Sequence, residues 1–97
     1  MKLTPDHGQV LLWMDEFGGP PGRVQFSPRA ATVKSRVYGL GAKRQVIGCV
    51  PGLVQMLVSG GFIEPDQTAR RDTYVLTIKG GDWVDRKKKR NAKKRLD

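Results

Sequence analysis

The apolar and polar positions divide the chain into segments of two periods. Leu3-Thr4-Pro5-Asp6 reads as a helix start. Thr4 can cap, Pro5 suits the first helical position, and Asp6 opposes the positive end of the helix dipole. Val10, Leu11, Met14 and Phe17 then recur at helical spacing and are expected to face the core, with Trp13 at the half-exposed edge of that stripe. His7, in the first turn, is expected as a surface or capping histidine. Gly18-Gly19 stops the helix, and Pro20-Pro21-Gly22 is a connector. Arg23-Val24-Gln25-Phe26 alternates and reads as a small strand. Ser27-Pro28 repeats the cap-then-proline start and predicts a second helix to about Tyr38. Ala31, Val37 and Leu40 would face inward, and Arg29, Lys34 and Arg36 outward.

Gly39-Leu40-Gly41 breaks that helix. Its spacing touches that of a dinucleotide-binding loop, but Arg44 holds the place of the third glycine and no long buried strand precedes it. A tight turn between two helices, with glycine at a positive backbone angle, is the simpler account. A third helix then starts near Ala42, with Lys43, Arg44 and Gln45 in its first turn and an apolar body to Ser59. Pro51 disturbs it, because an interior proline removes one hydrogen bond and clashes one turn back, at about 3 kcal/mol. Two arrangements follow. Either one kinked helix covers 42–59, or a short helix Ala42–Ile47 is followed by a turn at Gly48 and a new helix from Pro51. The first gives a helix of ordinary length and is preferred. Phe62-Ile63-Glu64 and Thr73-Tyr74-Val75-Leu76-Thr77-Ile78 read as two strands around the polar loop 65–72, closed by Gly80-Gly81. Asp82-Trp83-Val84-Asp85 reads as one more helix start.

Length allows one domain with a modest core: 97 residues, 38% hydrophobic. No apolar run approaches the roughly 18 residues of a membrane span, and the N-terminus lacks a signal peptide's apolar core. A single cysteine, Cys49, excludes an internal disulfide framework and suits a reducing cytoplasm; with the single histidine it cannot build a zinc site. The carboxylates are scattered, with Asp15 and Glu16 on different helix faces, and no serine or cysteine has a base nearby in any motif. The expectation is a protein that is not an enzyme, with no catalytic residues, metal, cofactor or small-molecule substrate.

Charge changes the picture. The formal net charge is +9, and eight of the 18 basic residues lie in Arg86-Lys87-Lys88-Lys89-Arg90-Asn91-Ala92-Lys93-Lys94-Arg95. Without residues 86–97, 10 basic and 8 acidic residues remain, a net +2. Within that remainder no carboxylate lies between Glu16 and Glu64, where Arg23, Arg29, Lys34, Arg36, Lys43 and Arg44 fall. A cationic segment in a near-neutral body, plus a dense cationic tail, points to a polyanion partner.

The order of pieces resembles a winged helix-turn-helix domain of the MarR (multiple-antibiotic-resistance regulator) type. The matching pieces are Leu3-Thr4-Pro5 with Val10-Leu11, Leu40-Gly41, Leu57 with Gly61-Phe62-Ile63-Glu64, Arg70-Arg71, and Leu76-Thr77-Ile78-Lys79-Gly80. In place of that family's long terminal dimerisation helices stands only the basic tail. The resemblance implies an α+β fold: a small winged helix-turn-helix at residues 1–81, with a three-helix core and a β-hairpin wing, followed at 82–97 by a basic C-terminal helix or disordered tail. It also implies double-stranded DNA as partner. Lys43, Arg44 and Gln45 would read bases, and Arg70 and Arg71 would sit at the wing tip. Arg29, Lys34 and Arg36 would hold phosphates, joined by the tail residues Arg86, Lys87, Lys88, Lys89 and Arg90. A homodimer is the default for such readers, though nothing in the residues requires it. The expected role is a transcriptional regulator or accessory factor in the cytoplasm, nucleoid-associated in a bacterium or phage and nuclear in a eukaryote. An RNA-binding or ribosome-associated winged helix, and a protein-interaction module using the apolar stretch 45–63, remain the alternatives.

Overall fold

The computed structural model describes residues 3–18, 22–27, 37–38, 46–68 and 71–96, with side chains as far as Arg90. Its elements are α1 (Pro5–Gly18), β1 (Val24–Ser27), β2 (Val37–Tyr38), β3 (Val46–Cys49), α2 (Pro51–Ser59), β4 (Ile63–Pro65), β5 (Thr73–Leu76) and α3 (Ile78–Leu96). The fold class is α+β, with three helices and one mixed five-stranded sheet, in the order β2-β3-β1-β5-β4, among the described residues. β1 lies at the centre, parallel to β3 and antiparallel to β5, and β4–β5 is an antiparallel hairpin where one was expected. Its second strand ends at Leu76, however, and Ile78, expected in that strand, opens α3 instead.

The first helix follows from its residues. Thr4 Oγ1 accepts from the His7 backbone N–H at 3.4 Å and meets His7 Nδ1 at 2.5 Å. His7 thus belongs to the cap, but it is buried, not on the surface. Val10, Leu11 and Met14 are fully buried, while Phe17 is only half-buried.

Two expected helices are corrected. Ser27 ends β1 and Val37–Tyr38 forms β2, so both ends assigned to the second helix are strand; residues 28–36 lie outside the described set. The kinked helix 42–59 does not form either, because Val46–Cys49 is strand and a new helix starts at Pro51. The separate helix from Pro51 is the part of the other arrangement that matches, whereas Val46 and Ile47 are strand there too. The cause is local. A residue before proline is pushed out of the helical region, and Val50 is extended at φ −68°, ψ 142°. Pro51 then occupies a first-turn site, where its missing N–H has no helical partner to lose. β-Branched Val46 and Ile47 favour the pleat. Gly48 packs under Tyr38 across the β2–β3 pair, where an added Cβ would lie 1.4 Å from the ring.

The C-terminal half departs similarly. Gly80 and Gly81 do not close the hairpin but lie in the first turns of α3, which passes through position 81/82 unbroken. Thr77 is the cap: its Oγ1 accepts from Gly80 N–H at 3.1 Å and its hydroxyl donates to Gly61 O at 2.5 Å. A side chain at 80 would overlap Phe62 O, 2.0 Å from the Cβ position, so glycine lets α3 start against the β4 strand.

One core joins every layer: Val10, Leu11 and Met14 from α1, Val24, Phe26, Ile47, Cys49 and Ile63 from the sheet, Leu53 and Leu57 from α2, and Val84 from α3. No helix among the described residues is long and apolar enough to cross a membrane.

Candidate nucleic-acid interface

Of the residues expected to touch nucleic acid, Arg29, Lys34, Arg36, Lys43, Arg44, Gln45 and Arg70 lie outside the described set. Arg71, Arg86, Lys87, Lys88, Lys89 and Arg90 lie within it. The helix that Lys43, Arg44 and Gln45 were expected to open is replaced by β3, and α2 carries no cation. Its exposed positions are Pro51, Gly52, Gln55, Met56 and Ser59.

α3 is the opposite. It runs 19 residues, roughly 28 Å at 1.5 Å per residue. Its N-terminal half carries Asp82 and Asp85, and its C-terminal half carries the basic run. The acids precede the basic run, with Asp82 four residues before Arg86 and Asp85 four before Lys89. The helix is tied down at three depths. Gly80 meets Phe62, Val84 is fully buried, and the Trp83 ring lies on Gly8 of α1. Further along, Lys88 Nζ forms an ion pair with Asp15 Oδ2 in the last turns of α1. Asp15 raises the Lys88 pKa, helped by Asp85 and Glu16. Among the described residues no ion pair joins Arg86, Lys87, Lys89 or Arg90 to an acid. Arg86, Lys89 and Arg90 are exposed, and Lys87 is half-buried.

The hairpin end is electrically mixed. Arg71 is exposed, and its backbone oxygen accepts from Gln25 Nε2 at 3.4 Å. Arg23 is held by Asp66 at 2.5 Å. The Thr68 hydroxyl and backbone N–H, with Arg23 beside them, hold the Asp66 pKa below its ordinary value. Asp72 beside Arg71 takes a left-handed backbone, φ 62°.

Elsewhere, a hollow of about 310 Å³ between α2 and the sheet is lined by Phe26, Cys49, Val54, Val58 and Tyr74, with Gln55 and Asp72 among its polar neighbours. Burial pushes the Cys49 thiol up to about 11, so it stays protonated at neutral pH. Among the described residues no group of three His, Cys, Asp or Glu side chains could hold a metal ion.

The sequence reading missed two contributors. Thr77 caps α3, and a threonine three residues before Gly80-Gly81 was its signal. Asp15 was set aside as a scattered carboxylate, although only the pairing of α1 with α3 brings it to Lys88. Comparison of the chain with protein-family models, curated proteins and solved structures finds no match.

Proposed function

We propose that this protein binds duplex DNA through the cationic half of α3, as an accessory factor that grips the phosphate backbone. The observation that carries it is a pre-formed helix presenting Arg86, Lys89 and Arg90 to solvent without an acid partner among the described residues. Phosphates reward such a row because each neutralised charge releases a counterion. Base readout by α2 is not part of the proposal, since its exposed side chains are neutral and few. In this reading the β4–β5 hairpin would act as a wing, with Arg71 exposed beside it. Among the described residues the exposed large apolar side chains are Met56 and Ile78, neither aromatic. Among the described residues no aromatic ring is fully exposed, which leans the reading toward duplex.

The test is fluorescence anisotropy on random-sequence duplex DNA, structured RNA and single strands, over a range of salt. Duplex binding that weakens steeply with salt, and falls in a full-length variant with Arg86, Lys87, Lys89 and Arg90 all changed to Gln, is the expected result. Affinity flat in salt, or intact in that variant, overturns it. A marked preference for RNA transfers the site to the RNA alternative.

A further inference from the structure

Resting on that proposal, we infer that the basic run of α3 is divided in labour: Lys88 is a structural pin, and Arg86, Lys89 and Arg90 form the strip that meets phosphate. A helix turns about 100° per residue, so positions 86, 89 and 90 fall within one ~100° face. Lys88 lies ~155° around the helix from the centre of that face. It is spent on Asp15, with Glu16 and Asp85 adding to the same negative field. Asp15 and Glu16, both on α1, make the α1 side of the helix unattractive to a phosphate chain. Asp82, one turn before Arg86 and exposed, ends the strip at its N-terminal side. The polyanion is therefore met on the face turned away from α1, beginning at Arg86. Lysine density alone does not define this site, because Lys88 sits in the middle of the run and contributes nothing to it.

The experiment uses single Gln substitutions in the full chain, at Arg86, Lys88, Lys89 and Arg90, each titrated with duplex DNA across salt. R86Q, K89Q and R90Q are each expected to reduce the log–log salt slope by roughly 0.9, which is about a 3.5-fold difference in retained affinity over a fourfold salt change. K88Q is expected to leave the slope unchanged. Thermal unfolding supplies the second readout: K88Q and D15N should lower Tm alike, and the double variant should add nothing to either. A Lys88 effect on the slope equal to the others, or additive Tm losses, overturns the division. If the unaltered protein binds no duplex, the functional proposal itself fails. If it binds and all four positions count equally, only the division fails.

Discussion

The two helices that flank the hairpin make opposite use of their residues. α2 has nine residues, none charged, and is held between the sheet and α1 by Leu53 and Leu57. α3 has 19 residues, touches the core through one fully buried side chain, Val84, and turns charge outward beyond it. α2 exists because it is packed, since nine residues are too few for a stable isolated helix. α3 has a cap at Thr77 and, with 19 residues, the length that α2 lacks. The lesson is that the helix best placed by the core has the least to offer a polyanion, and the helix least buried has the most.

Perturbations can break or sharpen that contrast. The largest effect is expected for Leu57→Ala. Leu57 is fully buried, and its loss should cost about 3–4 kcal/mol in urea unfolding, while the salt slope of any folded fraction stays unchanged. Val84→Ala should cost about 2 kcal/mol, again with the slope retained; a slope that collapsed with it would tie binding to α3 docking. Thr77→Ala removes the cap of α3 and should cost about 1 kcal/mol, read by thermal melts. Breaking the Arg23–Asp66 pair with Arg23→Ala should lower Tm less than Thr77→Ala does, because the Arg23 side chain is more than half exposed. Smallest of all, Gln55→Ala with Ser59→Ala should move duplex affinity less than about twofold, since no contact from α2 is expected. A loss of about tenfold, 1.4 kcal/mol, would restore α2 as a reading helix.

Those contrasts also mark what could be read from the residues. The first helix was legible because Thr4-Pro5-Asp6 and the spacing of Val10, Leu11 and Met14 are local signals that tertiary packing reinforces. The hairpin was legible from β-branched and aromatic alternation. Residues 46–49 were not, because Val-Ile-Gly-Cys is an apolar run without a period, and such runs suit a buried strand as well as a helix. Pro51 held the answer, since it favours an extended residue before it and a helix after it. The parallel pairing of β1 with β3 joins residues about 21 apart in sequence, a relation that no local pattern encodes. At the candidate interface the basic run itself was plain, but which of its described members would be free depended on α1 meeting α3.

Cys49 gives the fold a built-in clock. Its thiol is fully buried and protonated at neutral pH, so a thiol-specific reagent is expected to react fastest with molecules in which α2 or β3 has parted from its neighbours. Because the folded thiol ionises near 11 while an unfolded one ionises near 9, unfolding releases a proton between those values. Stability is therefore expected to fall as pH rises through that window, more steeply than in Cys49→Ala. The labelling rate at neutral pH, compared between duplex-bound and free protein, would show whether a ligand seated on the far end of α3 also slows the breathing of the sheet.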